Sequence, residues 1–389
     1  MMKLVRVAAV ALIATMTATS AMAETVKVGI IAPFSGPFAI WGKQFQEAIE
    51  VYQAQHGTSV GDNEIELIYK DSGGPNPDQA KALAQELLVR EQVDYIGGLV
   101  FTPNALAIAP LIDRAEKPAV IFNAATSMIT TQSEFFIRTG FTLWQVTVPV
   151  AEWAYDQGMR KVSVAVTDYG PGLDAAAAFK KAFEAKGGEI VDEIRMPITT
   201  TDFAPFMQRV KDQAPDAVFG FLPVGPPTFA FTKSYNENGL RDAGITFLGT
   251  GETDETTLDA LGDAALGLTT AYHYSAAHDS EMNKAFTAKL AELHPDSVAN
   301  LASVGAYDGM EAIYRMVEAA GKDGPAAIEA IKGASWESPR GPITIDAELR
   351  HVTQNVYLRE VAKTEDGKYI NREFQTIEAV PDLGLSMAD

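Results

Sequence analysis

From Val26 onward the chain repeats one hydrophobic pattern. A short apolar run ends at Gly, Pro, Ser or Thr, and a segment with apolar positions three and four apart follows. Val26, Val28, Ile30 and Ile31 predict a buried strand. Pro33, Gly36 and Pro37 break it, and the run from Ile40 predicts a helix with Phe45, Ile49 and Tyr52 on one face. Strands are predicted at 64–69, 93–100 and 118–122, with helices at 75–90 and 105–115 between them. A short strand-like run at 136–141 and a helix at 142–158 lead into a second series of the same units. Its strands are at 161–166, 189–195, 217–222 and 245–248, and its helices at 173–186, 203–213 and 228–238; the run at 267–274 leads out.

The last third reads differently. Helices are predicted at 280–293, 304–320 and 325–332, a rigid loop at 336–342 (WESPRGP), and strands at 343–345 and 356–362. Strand–helix alternation predicts an α/β fold of two doubly wound parallel-sheet lobes. With the late helices returning to the first lobe and the final strands joining the second, the lobes are joined by three crossovers and can close like a hinge. The expected boundaries are 1–23 for a leader, 24–141 plus 275–349 for lobe 1, and 142–274 plus 350–389 for lobe 2.

The leader is expected from Lys3 and Arg6, the apolar run over 7–14 and the small-x-small pattern at Ala21-Met22-Ala23. That apolar run is too short to span a bilayer, so a cleaved signal peptide and a periplasmic or extracellular location are expected. The chain has no Cys, which excludes a lipidated cysteine, disulfides and thiolate metal sites. Its net charge of −20 disfavours nucleic acid and anionic lipid as partners, and losing Lys3 and Arg6 makes it more negative.

Six loops fall at predicted strand C-termini: PFSGPFAIWG, LVFTPN, NAATS, TDYGPG, PVGPP and GTGETD. They contain no Lys, Arg or His, and most precede a helix whose free N–H groups favour negative charge. Such a cleft suits one carboxylate but lacks the fixed cations that a polyphosphate requires. Phe34, Trp41, Phe101, Tyr169 and Val224 suit a flat or branched hydrocarbon body, although each taken singly reads as core. No metalloprotease, nucleophile-elbow, Walker A or calcium-loop signature occurs, and no metal or cofactor is expected. His273 and His278, five apart, read as surface loop residues. Gly170-Pro171-Gly172-Leu173-Asp174-Ala175 fits a dinucleotide fingerprint, with Glu189 and Glu193 about 20 residues on. An exported oxidoreductase therefore stands as a remote alternative, weakened by Pro171 in the phosphate turn.

The stretches VKVGIIAPFSGPFAIWGKQ, YIGGLV, NAATS, TDYGPG and WESPRGPI, behind a leader, resemble the periplasmic solute-binding proteins of the branched-chain amino acid type that serve ABC importers. FAPFMQRVK, GDAALG and YSAAH bring the resemblance nearest to members that take up benzoate-like aromatic acids. The resemblance implies a binding protein and not an enzyme, a monomer that captures a small ligand and delivers it to a membrane permease.

It also implies a site. Trp41 matches the aromatic that covers the ligand side chain. Phe101 and Thr102 match a Ser-containing loop that holds the carboxylate; Phe101 departs from Ser, which leaves Thr102 as hydroxyl donor. Asn123, Ala124, Ala125 and Thr126 match the loop whose backbone receives carboxylate or amine. Tyr169 matches the residue that closes over the ligand from the second lobe. Pro223, Val224 and Gly225 match a loop where amino-acid binders often carry another Tyr. Gly251 aligns with the acid that amino-acid binders use for the amine, with Glu252 beside it. If Glu252 points away, a buried ammonium group would stand unpaired at a cost of several kcal/mol, and an aromatic or other hydrophobic monocarboxylate is expected. If Glu252 enters the cleft, an aliphatic amino acid is expected.

Overall fold

The structure, a computed structural model, describes residues 24–387. The expected leader, with Lys3 and Arg6, lies outside the described residues. Six strands form the first sheet: β1 (Glu24–Ala32), β2 (Ser59–Val60), β3 (Asn63–Asp71), β4 (Tyr95–Gly98), β5 (Ala119–Ile121) and β6 (Phe136–Arg138). Their order is β2-β3-β1-β4-β5-β6, parallel except for the β2–β3 pair. The chain winds to one side of β1 and then to the other, so the strand order reverses at β1.

The second sheet holds β7 (Lys161–Thr167), β8 (Glu189–Met196), β9 (Ala217–Phe221), β10 (Thr246–Gly249), β11 (Thr269–Tyr272), β12 (Ser335–Ser338), β13 (Gly341–Ile345), β14 (Val352–Lys363) and β15 (Tyr369–Val380). Its order is β12-β13-β14-β11-β10-β9-β7-β8, with β15 on β14; β7 to β11 are parallel and the others antiparallel. Here the order reverses at β7. Ligands of open parallel sheets sit beyond strand C-termini at such reversals, which fixes where to look in each lobe.

Helices cover the sheets. α1 (Ala39–His56), α2 (Pro77–Glu86) and α3 (Thr102–Ala115) belong with the first sheet; α4 (Leu143–Asp156), α5 (Gly170–Ala185), α6 (Ala204–Asp212), α7 (Pro226–Glu237) and α8 (Glu255–Leu261) belong with the second. α9 (Glu281–Leu293), α10 (Leu301–Ala320) and α11 (Gly324–Ile331) then return to the first lobe, where α10 packs along α1. The short α12 (Gly384–Met387) lies against α4 and α5. The chain thus passes between lobes three times: before α4, after β11 and before β12.

Three expectations change. The WESPRGP stretch is not a loop but the hairpin β12–β13, with Pro339 and Arg340 in its turn. Pro at the turn reads as a breaker in sequence, yet the hairpin pairs with β14 and extends the second sheet ahead of residue 350. β15 was not expected, because its polar, charged run (NREFQTIEA) lacks the apolar pattern of a buried strand; it pairs along β14 and leaves one face in solvent. α3 and α5 begin at Thr102 and Gly170, so the expected FTPN and GPG loops are first helical turns, where Pro103 and Pro171 lose nothing by lacking an N–H.

Candidate functional site

The lobes meet over a cavity with about 450 Å³ free of protein atoms, counting its opening to solvent. From the first lobe it is lined by Trp41, Val100, Phe101, Asn123 and Ala125, all at or just beyond the C-termini of β1, β4 and β5. Phe141 and Leu143 line it at the first crossing. From the second lobe come Tyr169, Pro171, Phe221, Leu222, Pro223, Val224, Gly251 and Tyr272, at the ends of β7, β9, β10 and β11. No lining side chain is charged.

The lobes are closed on one another here. Trp41 Nε1 donates to the Val224 carbonyl at 3.3 Å, and Ser127 N–H donates to Asp174 Oδ2 at 3.0 Å. On another side Asn300 Nδ2, which also donates to Gln44 Oε1, donates to both carboxylate oxygens of Asp254 at 3.2 and 3.0 Å. A Cβ placed on Gly170 would meet Thr126 Oγ1 at 3.1 Å, so the start of α5 sits against the first lobe.

Of the residues expected from sequence, Trp41, Phe101, Asn123, Ala125, Tyr169, Pro223, Val224 and Gly251 line this one cavity. Thr102 and Thr126 are buried just behind, with their hydroxyls 3.0 Å apart. Ala124 is behind the wall, its carbonyl accepting from Arg138 Nη1 at 3.1 Å. Gly225, at the N-cap of α7, is outside the lining set; its φ of 129° is one that favours glycine.

Glu252 does not line the cavity. It is fully buried, with Oε1 accepting from Leu222 N–H at 3.0 Å and Oε2 from Thr250 N–H. Burial pushes its carboxyl up to about 7, against the pull of those N–H donors. Beside it a Cβ on Gly251 would come within 3.1 Å of Val224 Cγ2 and 3.5 Å of the Tyr272 hydroxyl. Glycine keeps that wall flat, and a longer side chain there would have to displace its neighbours.

Sequence reasoning missed Val100, Phe141, Leu143, Pro171, Phe221, Leu222 and Tyr272. Tyr272, Phe221 and Leu222 were within reach of the same strand-end rule, because they terminate β11 and β9. Phe141 was not: its ring stacks on His273 with centroids 4.8 Å apart, a contact between a crossover and a strand end. His273 itself is fully buried, contrary to the surface position expected for it, while His278 pairs with Glu373 at 2.9 Å. Among the described residues no cluster could hold a metal ion. The fingerprint glycine Gly172 has a packing reason: a Cβ there would lie 1.8 Å from the Thr167 carbonyl, so α5 could not approach β7.

Comparison with known proteins adds the lineage. A family model described as periplasmic binding protein matches residues 25–368. The chain is a member of the periplasmic binding protein family. A Leu/Ile/Val-binding protein homolog 6 from Brucella abortus (strain 2308) is 52% identical over 375 residues, 95% of this chain and 96% of that one. A solute-binding protein of an ABC transporter from R. palustris, solved with 4-hydroxybenzoate, superposes with a TM-score of 0.90 at 50% identity, covering 93% of this chain and 99% of that one. Another from Rhodopseudomonas palustris BisB5, solved with 3,4-dihydroxybenzoic acid, gives 0.89 at 45% identity over 93% and 99%. Among the described residues no helix is long and apolar enough to cross a membrane.

Proposed function

We propose that this periplasmic binding protein captures a hydroxylated aromatic monocarboxylate, of the hydroxybenzoate kind, between its lobes. It acts as a monomer, released into the periplasm by loss of residues 1–23, and passes the ligand to the permease of an ABC importer. The observation that carries the ligand assignment is Glu252. The carboxylate next to the position that amino-acid binders use for the amine is spent on two backbone N–H groups, Asp254 three residues on is held by Asn300, and Gly251 leaves a flat wall. An ammonium group would have no counter-charge in the lining. Trp41, Phe101, Tyr169 and Phe221 offer ring faces and edges to a flat body. Ala125, in the 123–127 loop, supplies a backbone N–H for the carboxylate, with the bonded Thr102–Thr126 hydroxyl pair just behind it. The R. palustris relatives solved with hydroxybenzoates support the same assignment.

A second assignment, an aliphatic amino acid, draws on the name of the Brucella relative. It requires Glu252 to abandon Leu222 and Thr250 and turn into the cavity. Thermal shift separates the two. A ligand at about 100 times its Kd stabilises by about 2.7 kcal/mol. 4-Hydroxybenzoate is expected to raise Tm and L-leucine to leave it unchanged. Stabilisation by leucine with none by any aromatic acid would overturn the assignment.

A further inference from the structure

The cavity offers no cation, yet its proposed ligand is an anion. Arg138, at the end of β6, is fully buried behind the 123–127 loop. Nη1 donates to the carbonyls of Ala124 at 3.1 Å and Thr126 at 2.7 Å. Nη2 donates to the Ser127 carbonyl and to Asp382 Oδ2, each at 3.3 Å, and Nε donates to His351 Nδ1 at 3.0 Å. These contacts occupy the guanidinium, so it does not reach a ligand itself.

A trans peptide sends its C=O and N–H in opposite directions, and the described residues include no cis bond. Drawing the Ala124 carbonyl back onto Arg138 therefore turns the Ala125 N–H away from the guanidinium, and Ala125 lines the cavity. Two peptides along, the same rule is already in use. The Thr126 carbonyl is drawn back onto Nη1, and the Ser127 N–H on the far side of that peptide holds a carboxylate, that of Asp174, at 3.0 Å.

We propose that Arg138 is a positioning residue for the ligand carboxylate. Without touching it, Arg138 fixes the loop so that the Ala125 N–H, beside the Thr102 and Thr126 hydroxyls, faces the anion. This rests on the aromatic-acid assignment and supplies what a cation-free wall otherwise lacks. Asp382 and Asp174 offset the guanidinium charge, so the effect is the orientation of peptide dipoles and not a net positive field.

The test compares 4-hydroxybenzoate with its neutral twin 4-hydroxybenzamide by calorimetry, in the wild type and in Arg138→Lys. Lysine keeps the charge but cannot hold three carbonyls in one plane. The wild type is expected to prefer the acid by about 100-fold, and the variant to lose about tenfold of that preference while its benzamide affinity changes by about twofold or less. Equal weakening of both ligands, or an unchanged preference, would overturn the proposal. If Arg138→Lys does not fold, amide NMR on the wild type decides. The Ala125 proton is expected to move downfield with the acid and much less with the benzamide; equal movement would overturn the proposal. A wild type that binds neither compound refutes the aromatic assignment alone. The Ala125 shift is then read with L-leucine against L-leucinamide, by the same criterion.

Discussion

The two halves of the cavity wall are built from the same strand–turn–helix unit and are backed by different buried side chains. Behind the first-lobe half lies a buried cation, Arg138, which holds the carbonyls of Ala124, Thr126 and Ser127. Behind the second-lobe half lie a buried carboxyl, Glu252, which holds the N–H groups of Leu222 and Thr250, and a buried guanidinium, Arg359, which holds the Thr250 and Tyr274 carbonyls. One half is left with backbone donors toward the cavity. The other has donors withdrawn and shows Leu222, Pro223, Val224 and Tyr272. A wall with no charged side chain can still be polarised, because a charge one layer deeper decides which pole of a peptide faces inward.

The largest expected effect breaks the first half. Arg138→Met leaves Asp382 buried without its partner and strips three carbonyls of a donor, and is expected to cost about 3–5 kcal/mol of stability in urea unfolding. A loss within experimental error would mean that the loop holds its shape unaided.

The second half is probed by pH. The Glu252 carboxyl sits near 7 in the folded chain, above its ordinary 4.5. Between those values the folded state binds more protons than the unfolded one, so this group's contribution is fully present below about pH 4.5 and is lost as pH rises through 7. Its size is about 3 kcal/mol at most. Glu255, also pushed up to about 7, and Asp174, up to about 6, act with the same sign. These three carboxyls lower stability as pH rises from 5 to 8, whereas His273 and His351, held well below their ordinary 6.5 by burial, raise it as pH rises toward 6.5. Glu252→Gln is expected to remove the downward contribution of its own group between pH 5 and 8; an identical pH profile in the variant would show that Glu252 contributes none of it.

Trp41 and Tyr169 line the cavity from opposite halves. Replacing either by Ala is expected to weaken 4-hydroxybenzoate binding by about 2–3 kcal/mol with little change in fold, measured by calorimetry and circular dichroism. Unchanged affinity in both would place the ligand elsewhere. The smallest effect sharpens the donor side. Thr126→Val removes one hydroxyl beside the Ala125 amide and is expected to cost about 1 kcal/mol of acid binding, with the benzamide less affected.

Much of this was legible without coordinates. The alternation of apolar strands with helices at Phe45, Ile49 and Tyr52 spacing, and breakers at each strand end, mark the loops that line the cavity and single out Trp41, Phe101, Tyr169 and Val224, while Asn123, Ala125, Pro223 and Gly251 follow from the family resemblance. It failed where a residue works through a distant partner. Arg138, one basic residue in the apolar run FIRTGF, gave no hint that it serves a loop ending at Ser127 and a carboxylate at Asp382. The polar run of β15 read as no strand at all, since only its pairing with β14 makes it one.

The sequence by itself determined the two wound sheets, the loops at their strand ends and the absence of cations there, because periodicity and turn residues are local properties. Tertiary structure alone decided that Glu252 faces backbone amides and not the cavity, and that a guanidinium stands behind Ala125. Side-chain direction at a strand end depends on which neighbouring peptide groups need partners, and those neighbours are 30 residues away for Glu252 and Leu222 and 14 for Arg138 and Ala124.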